Sequence, residues 1–224
     1  MFATFSRQPA RAHRLGHALS SMTGGEGYEV HHLVQGSAKV LGDVDLRGGT
    51  LVDVGGSHGF VSVDLARQHR RMRFIVQDLP RTIESAPNPV SEDGDATRRI
   101  EFTAHDFFTD QVVKGADGTL SPPLDLAQSL ETIRRLKSLV PALKPGARII
   151  VNEHRLSPFG EKNERDELQM RRMDALMLCL LNVQVRSEAE FRDLFRAADK
   201  RMAFKRATRP PGSRMSIFEA VWEP

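Results

Sequence analysis

Only one cysteine, one tryptophan and one tyrosine stand among the 224 residues of this chain. A lone Cys179 excludes a disulfide framework and a cysteine-rich metal centre, and it fits a reducing compartment. Its place within "LMLCLLN" predicts an apolar helix position rather than a reactive thiol. With Tyr28 and Trp222 alone of their kinds, no basic surface is interleaved with stacking aromatics, which argues against a nucleic-acid platform. The formal net charge is +3 without any run of like charges, so no polyanion-binding arm stands out. No window approaches the ~18 consecutive apolar residues of a membrane span. These absences point to a cytoplasmic protein with no metal, nucleic-acid or membrane partner.

Glycine and proline, at 17 and 12 residues, punctuate the rest of the chain. "GGTLVDVGG" reads as a short apolar strand opened and closed by glycine, the pattern of a buried parallel strand. "HGFVSVDLARQH" then places Val61 and Leu65 on one helical face, and "MRFIVQDLP" is a second strand ending at Asp78. That is strand, helix and strand in ~30 residues. A short helix from Pro80, a loop "APNPVSEDGDATRR" and a third strand "IEFTAHD" follow. A helix over about 128–143 stops at "KPG", and "ARIIVNEH" is the next strand. Beyond it lie the helix "ERDELQMRRMDALMLCLLN" and one opening at Ser187, where Glu190 completes a capping-box spelling. "RMAFKRAT" and "RMSIFEAVWE", joined by "RPPGS", close the chain as an antiparallel edge pair. The alternation predicts an α/β, doubly wound, mostly parallel sheet. Upstream, two short helices are expected over about 8–22 and 28–36, the first carrying Arg7, Arg11 and Arg14 with no acidic residue before Glu26. Such a composition also suits a transit peptide.

In "VDVGGSHG", Asp53, Gly55, Gly56 and Gly59 fall at a strand-to-helix turn, where missing β-carbons let a ligand approach the unpaired N–H groups of a helix start. A dinucleotide fingerprint would need glycine where Val54 stands, which disfavours an NAD(P) oxidoreductase. Asp78 ends the second strand 22 residues after Gly56, where a carboxylate accepts hydrogen bonds from ribose hydroxyls. Asp106 and Phe107 end the third strand, where an acid and a flat apolar ring suit an adenine. Three such residues at successive strand ends lie on the rim where open α/β sheets bind ligands.

"LVDVGGSHGFVSVDLAR", "RFIVQDLP", "EFTAHDFF", "SLVPALKPGARIIVNEHRL" and "RPPGSRMSIFEAVWE" closely resemble the fungal branch of the plant-type class I O-methyltransferases, enzymes mostly of secondary metabolism. The resemblance implies a Rossmann-like domain over 46–224 that binds S-adenosyl-L-methionine through Gly55, Gly56, Asp78, Leu79, Asp106 and Phe107. It also implies a small-molecule hydroxyl acceptor lined by Met173, Asp174 and Met177, and a homodimer. Residues 1–45 resemble the helical lead-in from a winged-helix dimerisation domain, itself absent from the sequence, which accounts for the N-terminal composition without a transit peptide.

One segment departs from that pattern. Where the family places a central strand and then its catalytic histidine, this chain reads "KGADGTLSPPLDLAQSLET", with no histidine. A Pro-Pro pair lacks ladder donors, so the fourth strand is expected to be stunted or absent, with only Leu124 to Ala127 able to stand in. Of the two carboxylates that flank the base in the family, Glu153 matches one, and Val185 occupies the place of the other. His154 follows Glu153, but strand alternation would aim it away from the site. Two readings result: a methyltransferase of aromatic or polyketide-like acceptors, or a descendant that binds cofactor or a partner without transferring methyl.

Overall fold

Leu51, Val52, Asp53 and Val54 are all buried, because the strand Thr50–Val54 (β1) is covered on both faces. The computed structural model describes residues 27–121, 129–161 and 163–224. The expected helix over 8–22 and the "LDLA" stretch at 124–127 lie outside the described residues. The remaining elements run α1 (Val30–Leu46), β1, α2 (Phe60–Gln68), β2 (Arg73–Asp78), α3 (Pro80–Glu84), α4 (Gly94–Arg98), β3 (Ile100–Ala104) and β4 (Gly118–Ser121). The second half adds α5 (Ser129–Leu139), β5 (Arg148–Glu153), α6 (Glu164–Leu181), α7 (Glu188–Ala198), β6 (Met202–Thr208) and β7 (Ser216–Trp222). The seven strands are ordered β3-β2-β1-β4-β5-β7-β6, parallel except for β7, which pairs antiparallel with both β5 and β6. The order reverses between β1 and β4, so the crevice that open α/β sheets use for ligands lies at the carboxyl ends of those strands.

Strand periodicity sorts the core into two layers. Leu51, Ile150 and Ile217 face α1 and α2 together with Val40, Leu41, Val44 and Leu65. Val52, Val54, Ile149, Val151 and Phe218 face α5 and α7 together with Leu136, Phe191 and Phe195. Phe191 and Phe218 stack there with ring centroids 3.8 Å apart. Polar strand residues obey the same alternation. Glu219 turns with Ile217 toward α1, where it ion-pairs with Arg206 at 2.7 Å and Arg148 at 3.4 Å, and Arg148 also reaches Asp43 of α1.

The fourth strand is present and short. Gly118–Ser121 pairs with β1 on one side and β5 on the other, and all four residues are buried. "GTLS", ahead of the Pro-Pro pair, supplies the ladder, so the expectation that only 124–127 could do so is corrected. Two features place it there. Asp117 ties the start, donating its N–H to Thr50 O, accepting Thr50 N–H at 2.9 Å on Oδ2 and pairing with Lys144 at 2.8 Å. Gly118 brings its backbone so close to β1 that a β-carbon would meet Leu51 Cδ1 at 2.9 Å.

Other boundaries shift for local reasons. The helix expected over 28–36 runs on to Leu46 because Val40, Leu41 and Val44 continue its buried stripe into the core. The loop after α3 contains α4, whose N-cap Asp93 accepts from Asp95 N and Ala96 N. The expected helix over 128–143 is α5 followed by a 3-10 turn, Val140–Ala142, with Pro141 breaking the α pattern. Cys179 is exposed on α6, contrary to its apolar sequence context, because that helix presents a side to solvent, where Leu178 is exposed too. Among the described residues no helix is long and apolar enough to cross a membrane.

The capping box appears as spelled. Ser187 Oγ accepts Glu190 N–H at 3.3 Å, and Glu190 Oε2 accepts Ser187 N–H at 2.7 Å. Replacing Ser187 with alanine is expected to cost about 1 kcal/mol, read as a lower urea midpoint with an unchanged slope.

Candidate functional site

Every sequence-predicted cofactor residue lies at the carboxyl ends of β1, β2 and β3. After Val54 the chain turns through Gly55 at φ 67°, Ser57 at φ 52° and Gly59 at φ 78°, the last being the N-cap of α2. Gly56 N–H donates to Gln77 O at 3.1 Å and so ties the turn to β2. A β-carbon on Gly56 would come within 2.6 Å of the Asp53 carboxylate, and one on Gly59 within 3.0 Å of the Phe102 ring. Asp53 is 4% exposed and lies beneath the turn, accepting Ser62 Oγ–H at 2.7 Å. Burial pushes its carboxyl up to about 6, against the Ser62 hydrogen bond and with help from the nearby Asp78 charge. Asp53 therefore shapes the turn from below.

Asp78 is half-buried at the tip of β2 and accepts Ser57 N–H at 3.0 Å and Leu79 N–H at 2.8 Å. Leu79 is half-exposed beside it. At the end of β3, Asp106 Oδ1 accepts Phe108 N–H at 3.0 Å, which bends the chain so that Phe107 tucks under Arg135, whose Cζ is 4.5 Å from the ring centroid. Beneath them is a pair that sequence reasoning missed. The amides of Gln77 and Gln111, both buried, exchange hydrogen bonds at 2.8 and 2.9 Å and brace the loop after β3 against β2. A carboxylate at a strand tip, a glycine turn without β-carbons and exposed apolar side chains at Leu79 and Phe108 fit a nucleoside: hydroxyls for the acid, a flat base for the apolar rim. His58 has its Nε2 3.0 Å from Ser85 Oγ, and His105 is buried with its pKa lowered by desolvation.

A second feature opens at the end of β5. A cavity of about 500 Å3 is lined by Tyr28, His154, Arg155, Met173, Val185 and Arg214 among others, within the ~300–1,000 Å3 that suits small-molecule ligands. β5 ends at Glu153, which is 2% exposed, and the chain then leaves the strand path. His154 consequently turns into the cavity instead of away from it, and its Nδ1 meets Glu153 Oε1 at 3.1 Å. This corrects the alternation argument, which assumed a continuing strand. Met173 lines the cavity; Met177, one turn on, does not. Asp174 Oδ1 accepts Val185 N–H at 2.8 Å, which brings a carboxylate of α6 against the position where a second acidic residue was missing.

Tyr28 and the 209–214 turn escaped the sequence reading. Arg214 N–H donates to Gly27 O at 2.8 Å, and Gly27 approaches so closely that a β-carbon would lie 2.7 Å from Gly212 O. That contact, joined by Ser213 Oγ–H to Gly27 O at 3.4 Å across 186 positions of sequence, seats Tyr28 over the cavity. "RPPGS" spelled a turn, and nothing local in it spelled a wall. Nearby, Glu29, His31 and His32 bring ligand-type atoms within 4.8 Å of one another, but the Glu29 carboxylate already accepts Gly27 N–H at 2.7 Å and pairs with His32 at 3.3 Å.

A nucleoside-type rim beside a small-molecule cavity on a doubly wound sheet defines a cofactor-dependent domain of the Rossmann-like class. The family model of the O-methyltransferase domain matches residues 26–200, and the chain belongs to that family. LepI, solved in complex with SAM, shares the fold with a TM-score of 0.66 at 20% identity, covering 79% of this chain and 43% of that one. The chain is similar to a chlorophenol O-methyltransferase of Trichoderma longibrachiatum, at 48% identity over 100% of this chain and 48% of the relative. It is also similar to O-methyltransferase pyvH of Aspergillus violaceofuscus, at 34% identity over 98% of this chain and 52% of the relative. The chain thus spans about half the length of these relatives. Among solved structures, methyltransferase CalO6 superposes with a TM-score of 0.68 at 29% identity, covering 82% of this chain and 59% of that one.

Proposed function

We propose that this chain is an S-adenosyl-L-methionine-dependent O-methyltransferase acting on a hydroxyl of a small aromatic or polyketide-like molecule. The observation that carries the reading is the cavity at the end of β5, opening on the same carboxyl rim as the glycine turn and Asp78. When bound, S-adenosylmethionine supplies an electrophilic methyl group on a sulfonium sulfur. The chain's own residues bind and orient: Asp78 takes the ribose hydroxyls, the Gly55–Gly59 turn lets the ligand come close where its glycines carry no β-carbon, and Leu79, Asp106 and Phe107 frame the base. Met173 gives the acceptor a polarisable apolar wall, with Asp174 fixing the backbone at Val185 opposite. The names of the chlorophenol relative and of a grayanic acid biosynthesis cluster O-methyltransferase support an aromatic acceptor. A homodimer is the assembly that the family resemblance implies.

Calorimetry with S-adenosylmethionine, S-adenosylhomocysteine and NAD, followed by methyl transfer to a panel of phenols, tests the reading. Binding of NAD alone would overturn it, and cofactor binding without transfer to any phenol would make the chain a binding protein instead. Asp78→Ala is expected to weaken S-adenosylhomocysteine about tenfold, the worth of a hydrogen bond to a charged group, with little change in thermal stability.

A further inference from the structure

We propose that His154 is the proton acceptor for methyl transfer, aimed into the cavity by Glu153, in place of the histidine that the segment before α5 does not supply. The inference rests on the cavity at the end of β5 being the acceptor site. Two donors of His154 converge on one oxygen: its backbone N–H at 2.8 Å and its Nδ1 at 3.1 Å both meet Glu153 Oε1. With Nδ1–H donating to a carboxylate that is itself buried, the neutral ring carries its lone pair on Nε2. Nε2 faces the cavity and already meets a phenol there, the Tyr28 hydroxyl at 3.3 Å, with the two rings tilted and 5.5 Å apart. A base oriented by a buried acid and pointing at a hydroxyl is the geometry that general-base catalysis needs.

The surroundings alone do not ionise a phenol here. Burial raises the Tyr28 phenol pKa, Arg214 and Arg209 offset only part of that rise, and Asp166 lines the cavity beside the arginines, so removal of the proton falls to a base. No other histidine lines the cavity among the described residues. In the step, the acceptor's proton moves to His154 Nε2 and later to solvent. The electron pair left on the acceptor oxygen forms the new O–C bond, and the pair of the breaking C–S bond stays on sulfur. The Tyr28 hydroxyl occupies the place that an acceptor's hydroxyl would take at Nε2 and yields it when the acceptor binds.

The test uses 4-nitrophenol as a probe whose absorbance reports phenolate, bound to the protein without cofactor. The unaltered protein is expected to hold a larger phenolate fraction than free solution at the same pH, and His154→Gln the same fraction as free solution. Glu153→Gln, which keeps the hydrogen bond and loses the charge, should fall between them. Transfer to weakly acidic phenols should drop about 100-fold in His154→Gln, but less than about tenfold for 4-nitrophenol, which arrives largely ionised. A phenolate fraction and acceptor dependence unchanged by His154→Gln would overturn this inference alone. Failure of the unaltered protein to bind or methylate any phenol would overturn the acceptor reading, and this inference with it.

Discussion

Gly56→Val is expected to weaken S-adenosylhomocysteine binding by about 100-fold or more, some 2.7 kcal/mol. The first added carbon would sit 2.6 Å from both Cγ and Oδ2 of Asp53 and 3.0 Å from Oδ1, a spacing that real contacts do not tolerate. The carboxylate has no room to retreat, since it is buried and held at 2.7 Å by Ser62 of α2. The turn must move instead, and its backbone is held to β2 by its own hydrogen bonds. That movement also strains Gly56 N–H to Gln77 O and Ser57 N–H to Asp78, so one added side chain disturbs both the turn and the carboxylate at the tip of β2. Gly56→Ala should act in the same direction, because the clash begins at the β-carbon. Calorimetric titration, beside thermal unfolding to confirm that each variant folds, is the check. An affinity within about threefold of the unaltered protein would mean that the turn does not carry the cofactor.

The elements that could be found in the sequence are those whose signal is local. β1 and β2 each join a mostly buried apolar run to a breaker, α7 announces itself by its capping box, and the candidate cofactor residues sit at strand ends where ligand-type side chains are conspicuous. β4 was misplaced because a four-residue strand ending at a Pro-Pro pair has no periodicity to detect. What makes "GTLS" a strand is non-local: Asp117 bridging to Thr50 and Lys144, and Gly118 allowing close approach to Leu51. The cavity at the end of β5 was half legible for the same reason. Met173, Asp174 and Glu153 lie on elements with clear boundaries, whereas Tyr28 and Arg214 reach it only through the contact of Gly27 with the 212–214 turn. The direction of His154 depended on where β5 stops, and a strand end is the least certain feature of an alternating pattern.

Asp53→Asn is expected to be stabilising at pH 7.5 relative to its effect at pH 4, by a difference on the order of 3 kcal/mol. The folded carboxyl is raised to about 6 by desolvation first, with the Asp78 charge adding and the Ser62 hydrogen bond opposing. In the unfolded chain an aspartate titrates near ~3.9. Between those values the folded state binds more protons than the unfolded state. Stability from this group is therefore fully present below about pH 4, falls as pH rises toward 6, and stays lost above that. Asparagine does not titrate, and its carbonyl can still accept from Ser62, so the variant should lack this fall. Any fixed cost of placing an amide there cancels when the same two proteins are compared at both pH values. Urea unfolding of each at pH 4, 5, 6 and 7.5 reads the difference directly, and a gap that stays constant across the series would sink the assignment. The direction bears on function, because a carboxylate that weakens the fold at neutral pH sits under the glycine turn at the cofactor rim. Its cost is offset by the large apolar layers on either side of the sheet, which leaves the turn free to be shaped by ligand geometry rather than by stability.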